Sequence, residues 1–346
     1  MHLLLFHKLN WRYIAIPVSI IPFLLIAVQF DLTLDGIFAV GIVPFALASG
    51  AMICKLLLQG VKFNYLVRKF FGGIEPAWKT ILVRMGSEFV SFTTPMYVGG
   101  EVVRVVWLRR RGVKTSKATW LTIIEIVTEV IAAGTISIIA AVFALLHGAY
   151  FIGFAILAIA ITVMTLWSTL FFLSSKRTFQ IPKVIYGIVG KLGKKRGMEY
   201  ADRTNEWIKG ICEMSRENFH TKQAKKAIAV SLMISFLYWG VYGTTFFLLA
   251  NGAGFFIELQ DSIFAVLASN ALGDLPITIG GSGLVELGIW SYLEGLKDLT
   301  LDLTEGTMEW NVIIAWRIAT YHVPLIVTWI LLMKLALSKY TKAEIS

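Results

Sequence analysis

The sequence predicts an all-α, polytopic integral membrane protein, with six spanning helices plus two re-entrant hairpins arranged as an inverted repeat. Three observations predict it: a composition too apolar for water, apolar runs of bilayer length, and connecting segments that segregate by charge. Of the 346 residues, 57% are hydrophobic and only 16% charged, against roughly 45–50% and 25% in soluble domains. About 20 consecutive apolar residues let a helix cross the hydrocarbon core. Runs of this kind occupy Tyr13–Phe30, Ile37–Leu58, Thr119–Leu146, Phe151–Leu173, Ala227–Ala250 and Val312–Leu337. Lipid offers no partner to a bare peptide group, so each run closes its own hydrogen bonds as a helix. Barrel strands would instead show short alternating segments. The first run lacks a small-residue cleavage site before Asp31 and reads as a retained helix, not a removed leader.

The connecting segments then set the topology. Residues 1–12, 59–88, 107–117, 174–226 and the tail after 337 hold most of the 32 Lys and Arg. Residues 31–36, 251–261 and 294–310 are acidic, with Asp31, Asp35, Glu258, Asp261, Glu294, Asp298, Asp302, Glu305 and Glu309. Basic segments stay in the cytoplasm, which puts both termini there and lets the six runs alternate. The formal charge of +10 is thereby explained by topology, and no nucleic-acid partner is expected. Cys54 and Cys212 lie in unrelated contexts, so neither a disulfide nor a metal site is expected.

Two apolar stretches remain. Residues 89–106 have basic segments on both sides and should enter and leave from the cytoplasm; residues 264–293 have acidic flanks and should do so from outside. Both are broken by Pro and Gly, and both share a pattern. Pro95 is followed by three residues, Gly99-Gly100 and Glu101; Pro276 is followed by three residues, Gly280-Gly281 and, soon after, Glu286. Equivalent broken helices of opposite orientation mark transporters whose site lies between them; Gly pairs also serve ordinary helix packing. The domain expected is a single one over 1–346. Its first half is 13–173 with the cytoplasmic-side hairpin 89–106. A basic stretch of cytoplasmic interfacial helices follows over 174–226, then a second half, 227–337, with the outer-side hairpin 264–293.

The run Thr94-Pro95, Gly99-Gly100-Glu101, Arg104, followed by Leu108-Arg109-Arg110 and Gly112, resembles the flippase-like membrane-domain family named for the membrane part of lysylphosphatidylglycerol synthetase. Pro276, Thr278, Gly280-Gly281, Gly283, Glu286 and Ala315-Trp316-Arg317 resemble its second half. Ile279 departs from a second Pro common in that family. The resemblance covers nearly the whole chain. It implies a microbial plasma-membrane protein that flips a lipid with a polar headgroup, a phospholipid or a polyprenyl-phosphate-linked one, or serves a lipid-modifying enzyme. Lysyl-transferring relatives add a soluble catalytic domain after the membrane part, whereas this sequence stops at Ser346, so aminoacyl-lipid synthesis is not expected of it.

Ionisable groups inside a span cost roughly 2.5–3.5 kcal/mol on insertion scales and are functional candidates by default. The substrate-binding candidates are Pro95, Gly99, Gly100, Glu101, Arg104, Pro276, Gly280, Gly281, Glu286 and Arg317. Helix starts at the breaks would aim N–H groups at a phosphate, and Arg would add its planar fork; alternatively, Glu101–Arg104 and Glu286–Arg317 are structural ion pairs. Glu125, Glu129 and Asp274 are relay candidates for protons or ions. Glu125 sits near the cytoplasmic end and equally suits snorkelling or a loop Arg, and Asp274 equally suits capping a turn. His322 is pH-sensitive by type, and Lys55 should snorkel to the inner interface. Within 174–226, Ile185, Ile188, Val189 and Leu192 form one apolar stripe and Tyr200, Thr204, Trp207, Ile208 and Ile211 another, suited to an anionic membrane surface. No G-x-x-x-x-G-K-[ST], H-E-x-x-H or G-x-S-x-G pattern is present, so no cofactor is expected and the chain reads as a non-enzyme. A membrane subunit that presents a lipid-linked substrate, or an intramembrane transferase using Glu101 or Glu286, remain alternatives. The sequence carries no signal for an oligomeric state.

Overall fold

The computed structural model describes residues 40–337 apart from 95–96, 98, 181–182, 276–277, 279 and 301–306, and its regular structure is wholly helical. The order is α1 (Ile42–Phe71), α2 (Ala77–Phe92), α3 (Gly100–Arg109), α4 (Thr115–Leu146), α5 (Tyr150–Lys176), α6 (Lys183–Phe219), α7 (Lys222–Gly252), α8 (Leu259–Gly273), α9 (Leu284–Thr300) and α10 (Thr307–Arg317). A π-turn (Ile318–His322) then leads into α11 (Val323–Leu337). Among the described residues, five segments are long and apolar enough to cross a membrane: α1, α4, α5, α7 and Trp310–Leu335. The chain is a multi-pass, all-helical membrane protein. The predicted span Tyr13–Phe30 lies outside the described residues.

Bilayer length alone explains the spans. At 1.5 Å per residue a 30-residue helix reaches about 45 Å, past the hydrocarbon and into the headgroups. The breaks have local causes. At the end of α2, Thr93 Oγ1 donates to Phe89 O (2.9 Å), and Thr94 Oγ1 donates to Val90 O (2.9 Å) while the Thr94 N–H turns to Ser91 O. The π-turn precedes Pro324, which has no N–H for the Thr320 carbonyl and whose ring crowds it. Widening by one residue relieves that conflict.

α1 lies along α7, α4 pairs with α5, α2 lies against α11, and α8 packs on α7 and α9. Glycines permit close approach at two of these crossings. A Cβ on Gly86 would sit 3.1 Å from the Leu332 backbone nitrogen, and one on Gly243 would sit 2.8 Å from Ile263 Cα. Small residues serve this purpose in membranes, where dispersion contact replaces a hydrophobic driving force.

Several expectations need correction. Residues 59–88 are not a basic connection: α1 continues to Phe71, and Lys62 and Arg84 are buried. Lys55 does not snorkel; it is buried within the bundle. Residues 183–219 form one helix that packs on α4 and α5. Ser215 bonds Ser174 at 2.9 Å and Trp207 Nε1 donates to Thr119 at 3.2 Å, so part of the second stripe meets protein. The stripe from Ile185 to Leu192, like the Tyr200 side chain, lies outside the described residues.

Candidate functional site

The buried polar residues of α1 fall at 55, 59 and 62, spacings of four and three that place them on one helix face. On α2, Arg84, Glu88 and Ser91 repeat the spacing, and on α4 so do Glu125 and Glu129. In an otherwise apolar chain such stripes must face one another. They do.

Arg84 lies at the centre, with Nε 2.5 Å from Glu125 Oε1, Nη1 2.8 Å from Glu88 and Nη2 3.2 Å from Glu129. Arg104 of α3 reaches Glu125 Oε2 and Glu101, each at 3.2 Å. Lys62 pairs with Glu129 at 3.2 Å and donates to Ser235 and to the Tyr238 hydroxyl. Gln59 donates to Glu129 at 3.3 Å. Three cations thus serve four carboxylates from α1 to α4, and the low dielectric that makes a lone charge costly makes this pairing obligatory.

The second break is built from backbone. Gly280 and Gly281 have φ of +61° and +64°, a region that a side chain strongly disfavours. A Cβ on Gly281 would stand 3.0 Å from the Tyr97 hydroxyl and 3.1 Å from Gly273 Cα. Arg317 pairs with Glu286 at 2.8 Å, donates to the Gly280 carbonyl, and lies over the Tyr321 ring at 4.2 Å. The other Glu286 oxygen accepts the Gly283 N–H at 2.8 Å.

The two breaks touch. Tyr97, between α2 and α3, donates to the Gly280 carbonyl at 2.6 Å, and Tyr321 donates to the Phe92 carbonyl at 2.8 Å. Beside this contact lies a cavity of about 240 Å³. Its polar side carries Lys55, Arg84, Glu88, Glu101, Asp274 and Arg317; its other side is the apolar faces of α4 and α5, including Val130, Val163 and Trp167. Lys55 makes no ion pair among the described residues. Its ammonium rests over Tyr242 at 4.2 Å and Trp239 at 4.6 Å. One oxygen of Glu101 has no hydrogen-bond partner among them either.

Of the predicted site, Gly99, Gly100, Glu101, Arg104, Gly280, Gly281, Glu286 and Arg317 gather at the breaks, and Glu129 and Asp274 line the cavity. Pro95 and Pro276 lie outside the described residues. Glu125 does not snorkel; it is fully buried between Arg84 and Arg104. The helix starts are not open anion cradles. Gly100 N donates to Ser91 Oγ at 3.1 Å, and each break's carboxylate, Glu101 or Glu286, occupies the first turn of its own helix, where it offsets the dipole. His322 packs against Tyr321, with ring centroids 5.1 Å apart. Sequence reading missed Gln59, Lys62, Arg84 and Glu88 as site residues because it assigned 59–88 to a connection, and missed Lys55 because it expected that side chain to snorkel. Their shared helical face was the available signal.

No group of three or more potential metal ligands occurs among the described residues. A UPF0104 membrane protein of Archaeoglobus fulgidus is 23% identical over 288 residues, covering 81% of this chain and 82% of that one. Residues 13–328 match the family described as Lysylphosphatidylglycerol synthase TM region. The two breaks, their paired glycines and the buried ion pairs around them therefore belong to a chain that is a member of that family.

Proposed function

We propose that the protein moves or binds a lipid with a polar headgroup, a phospholipid or a polyprenyl-phosphate-linked lipid, between the leaflets of the plasma membrane. One observation carries the reading: both helix breaks line a single cavity and meet at Tyr97 and Gly280. On this reading α2–α3 and α8–α9 are re-entrant hairpins entering from opposite faces, the equivalent units of an inverted repeat. Tyr13–Phe30 completes six spans, and both termini are cytoplasmic.

The lining suits such a ligand. Among the described residues, Lys55 is held by aromatic faces and by no carboxylate ion pair, which leaves its charge for a phosphate. Glu101 and Asp274 offer carboxylates to a cationic group or a proton, with Glu129 behind them. Leu166 both lines the cavity and is 56% exposed, which gives acyl or isoprenoid tails a route along α5 to lipid. The family's name points to phospholipid chemistry. Glu286 is engaged by Arg317 and Gly283, which disfavours it as a general base, and the protein is read as a non-enzyme without cofactor.

The test is reconstitution in vesicles with fluorescent lipids of several headgroups. The protein should exchange at least one of them faster than empty vesicles do, and Lys55→Gln should slow that exchange about tenfold or more without lowering the melting temperature. Exchange equal to empty vesicles for every headgroup and gradient, together with a stable complex with a lipid-modifying enzyme, would support a substrate-presenting subunit instead.

A further inference from the structure

A second, separate feature lies on the lipid-facing side. α4, α5, the end of α6 and α7 enclose a groove of about 740 Å³, lined almost wholly by apolar residues, among them Val127, Ile131, Phe172, Phe219, Ile228 and Leu232. Phe172 is 45% exposed although Phe219 packs on it with ring centroids 6.0 Å apart. An apolar trough of this size on a membrane protein holds hydrocarbon; the question is whether the occupant is selected.

The rim answers it. Lys225, in the first turns of α7, itself lines the groove. Lys176, in the last turn of α5, holds its ammonium 4.5 Å from the centre of the Phe172 ring. Arg216 of α6 donates to Thr178 just beyond, and Arg177, Lys222 and Lys226 adjoin in sequence. Against these six cations stand Glu213, 3.9 Å from Lys209, and Glu217. Basic groups at a helix end lie at headgroup depth and attract anionic lipid. An apolar trough with a cationic collar at one end has the polarity of a single anionic phospholipid standing in the leaflet on that side.

We propose that this groove is a binding site for an anionic phospholipid, whose acyl chain lies along Val127, Ile131, Ile228 and Leu232 and whose phosphate meets Lys225 and Lys176. The site is distinct from the central cavity and does not depend on transport. The two are neighbours: Val127 and Ile131 face the groove, whereas Ile126 and Val130, on the adjacent face of the same turns of α4, line the cavity.

The experiment is native mass spectrometry of the delipidated full chain, titrated with phosphatidylglycerol or phosphatidylcholine of identical chains. Phosphatidylglycerol should bind about tenfold more tightly. The double reversal Lys176→Glu/Lys225→Glu should abolish that preference, since each cation near the surface is worth about fivefold. Ala229→Trp, which fills the groove from its exposed wall and leaves the charges intact, should weaken both lipids. Lipid held in the central cavity would survive these changes, which separates the two sites. Equal binding of the two lipids, a preference untouched by the reversal, or competition by soluble glycerol phosphate as strong as by lipid would overturn the proposal. Should the reversal fail to fold, Lys176→Gln/Lys225→Gln decides the same point, with a preference reduced but not inverted.

Discussion

The two helix breaks solve one problem by different means. The first, between α2 and α3, is braced by side chains: Arg84 and Arg104 join Glu88, Glu101, Glu125 and Glu129, and Lys62 closes the web. The second, between α8 and α9, is braced by backbone: three glycines at positive φ, Gly280, Gly281 and Gly283, and a carbonyl fixed by Arg317, whose one ion-pair partner among the described residues is Glu286. A web shares its load, whereas a lone pair does not. The second break should therefore be the more easily broken by one substitution, and the first the more tolerant of rearrangement during a transport cycle.

The largest expected effect tests this directly. Arg317→Met leaves Glu286 buried without its partner, and breaking such a pair costs about 3–5 kcal/mol. Lys62→Met should cost less, about 2–3 kcal/mol, because Glu129 retains Arg84 and Gln59. Melting curves in detergent rank the two; equal losses would mean that the web does not share its load. Next come the glycines. Gly280→Ala forces a side chain into left-handed backbone and against the Tyr321 ring, for at least about 1–2 kcal/mol. Gly100→Ala meets the Ser87 carbonyl at 2.8 Å and the movable Ser91 hydroxyl but no left-handed strain, and should cost less. Tyr97→Phe removes the hydrogen bond to Gly280 between the breaks, about 1 kcal/mol, since Arg317 still serves the Gly280 carbonyl.

How much of this was legible in the sequence follows from what periodicity can register. Runs of bilayer length gave four of the spans within the described residues nearly to their ends, and charge asymmetry isolated the two broken stretches. The paired Gly-Gly-carboxylate patterns located Glu101 and Glu286, and the cost of charge inside apolar segments singled out Arg104 and Arg317. The web around Arg84 was illegible because Lys62 and Arg84 look like topogenic charges when counted by segment. Only the spacing of 55, 59 and 62, read with 84, 88 and 91, turns them inward. The π-turn leaves Pro324 as its one trace, and the Tyr97–Gly280 contact joins positions 183 residues apart, beyond any local pattern.

The smallest effect lies outside the membrane, at Glu75, between α1 and α2. Burial pushes its carboxyl up, but hydrogen bonds from Lys79 and Arg111 outweigh this and hold it below the usual carboxylate range. A lowered folded value means that its contribution is present at neutral pH and fades as pH falls through that value. Glu75→Gln should lower stability by no more than about 1 kcal/mol at pH 7 and by nothing at a pH where the carboxyl is already protonated. Melting temperatures of both forms across that range check the sign. This connection, exposed and screened, marks the low end of the scale whose high end is Arg317.

The most direct measurement is thiol accessibility in a chain whose Cys54 and Cys212 are replaced by Ser. Ser91→Cys and Ala271→Cys each place one thiol on the cavity wall, one from each break. If the breaks bound a pocket that opens alternately, a membrane-impermeant reagent should reach both thiols from either face, with labelling from one face protecting against the other. Labelling of both from the same face under every condition, with the opposite face always closed, would contradict the account.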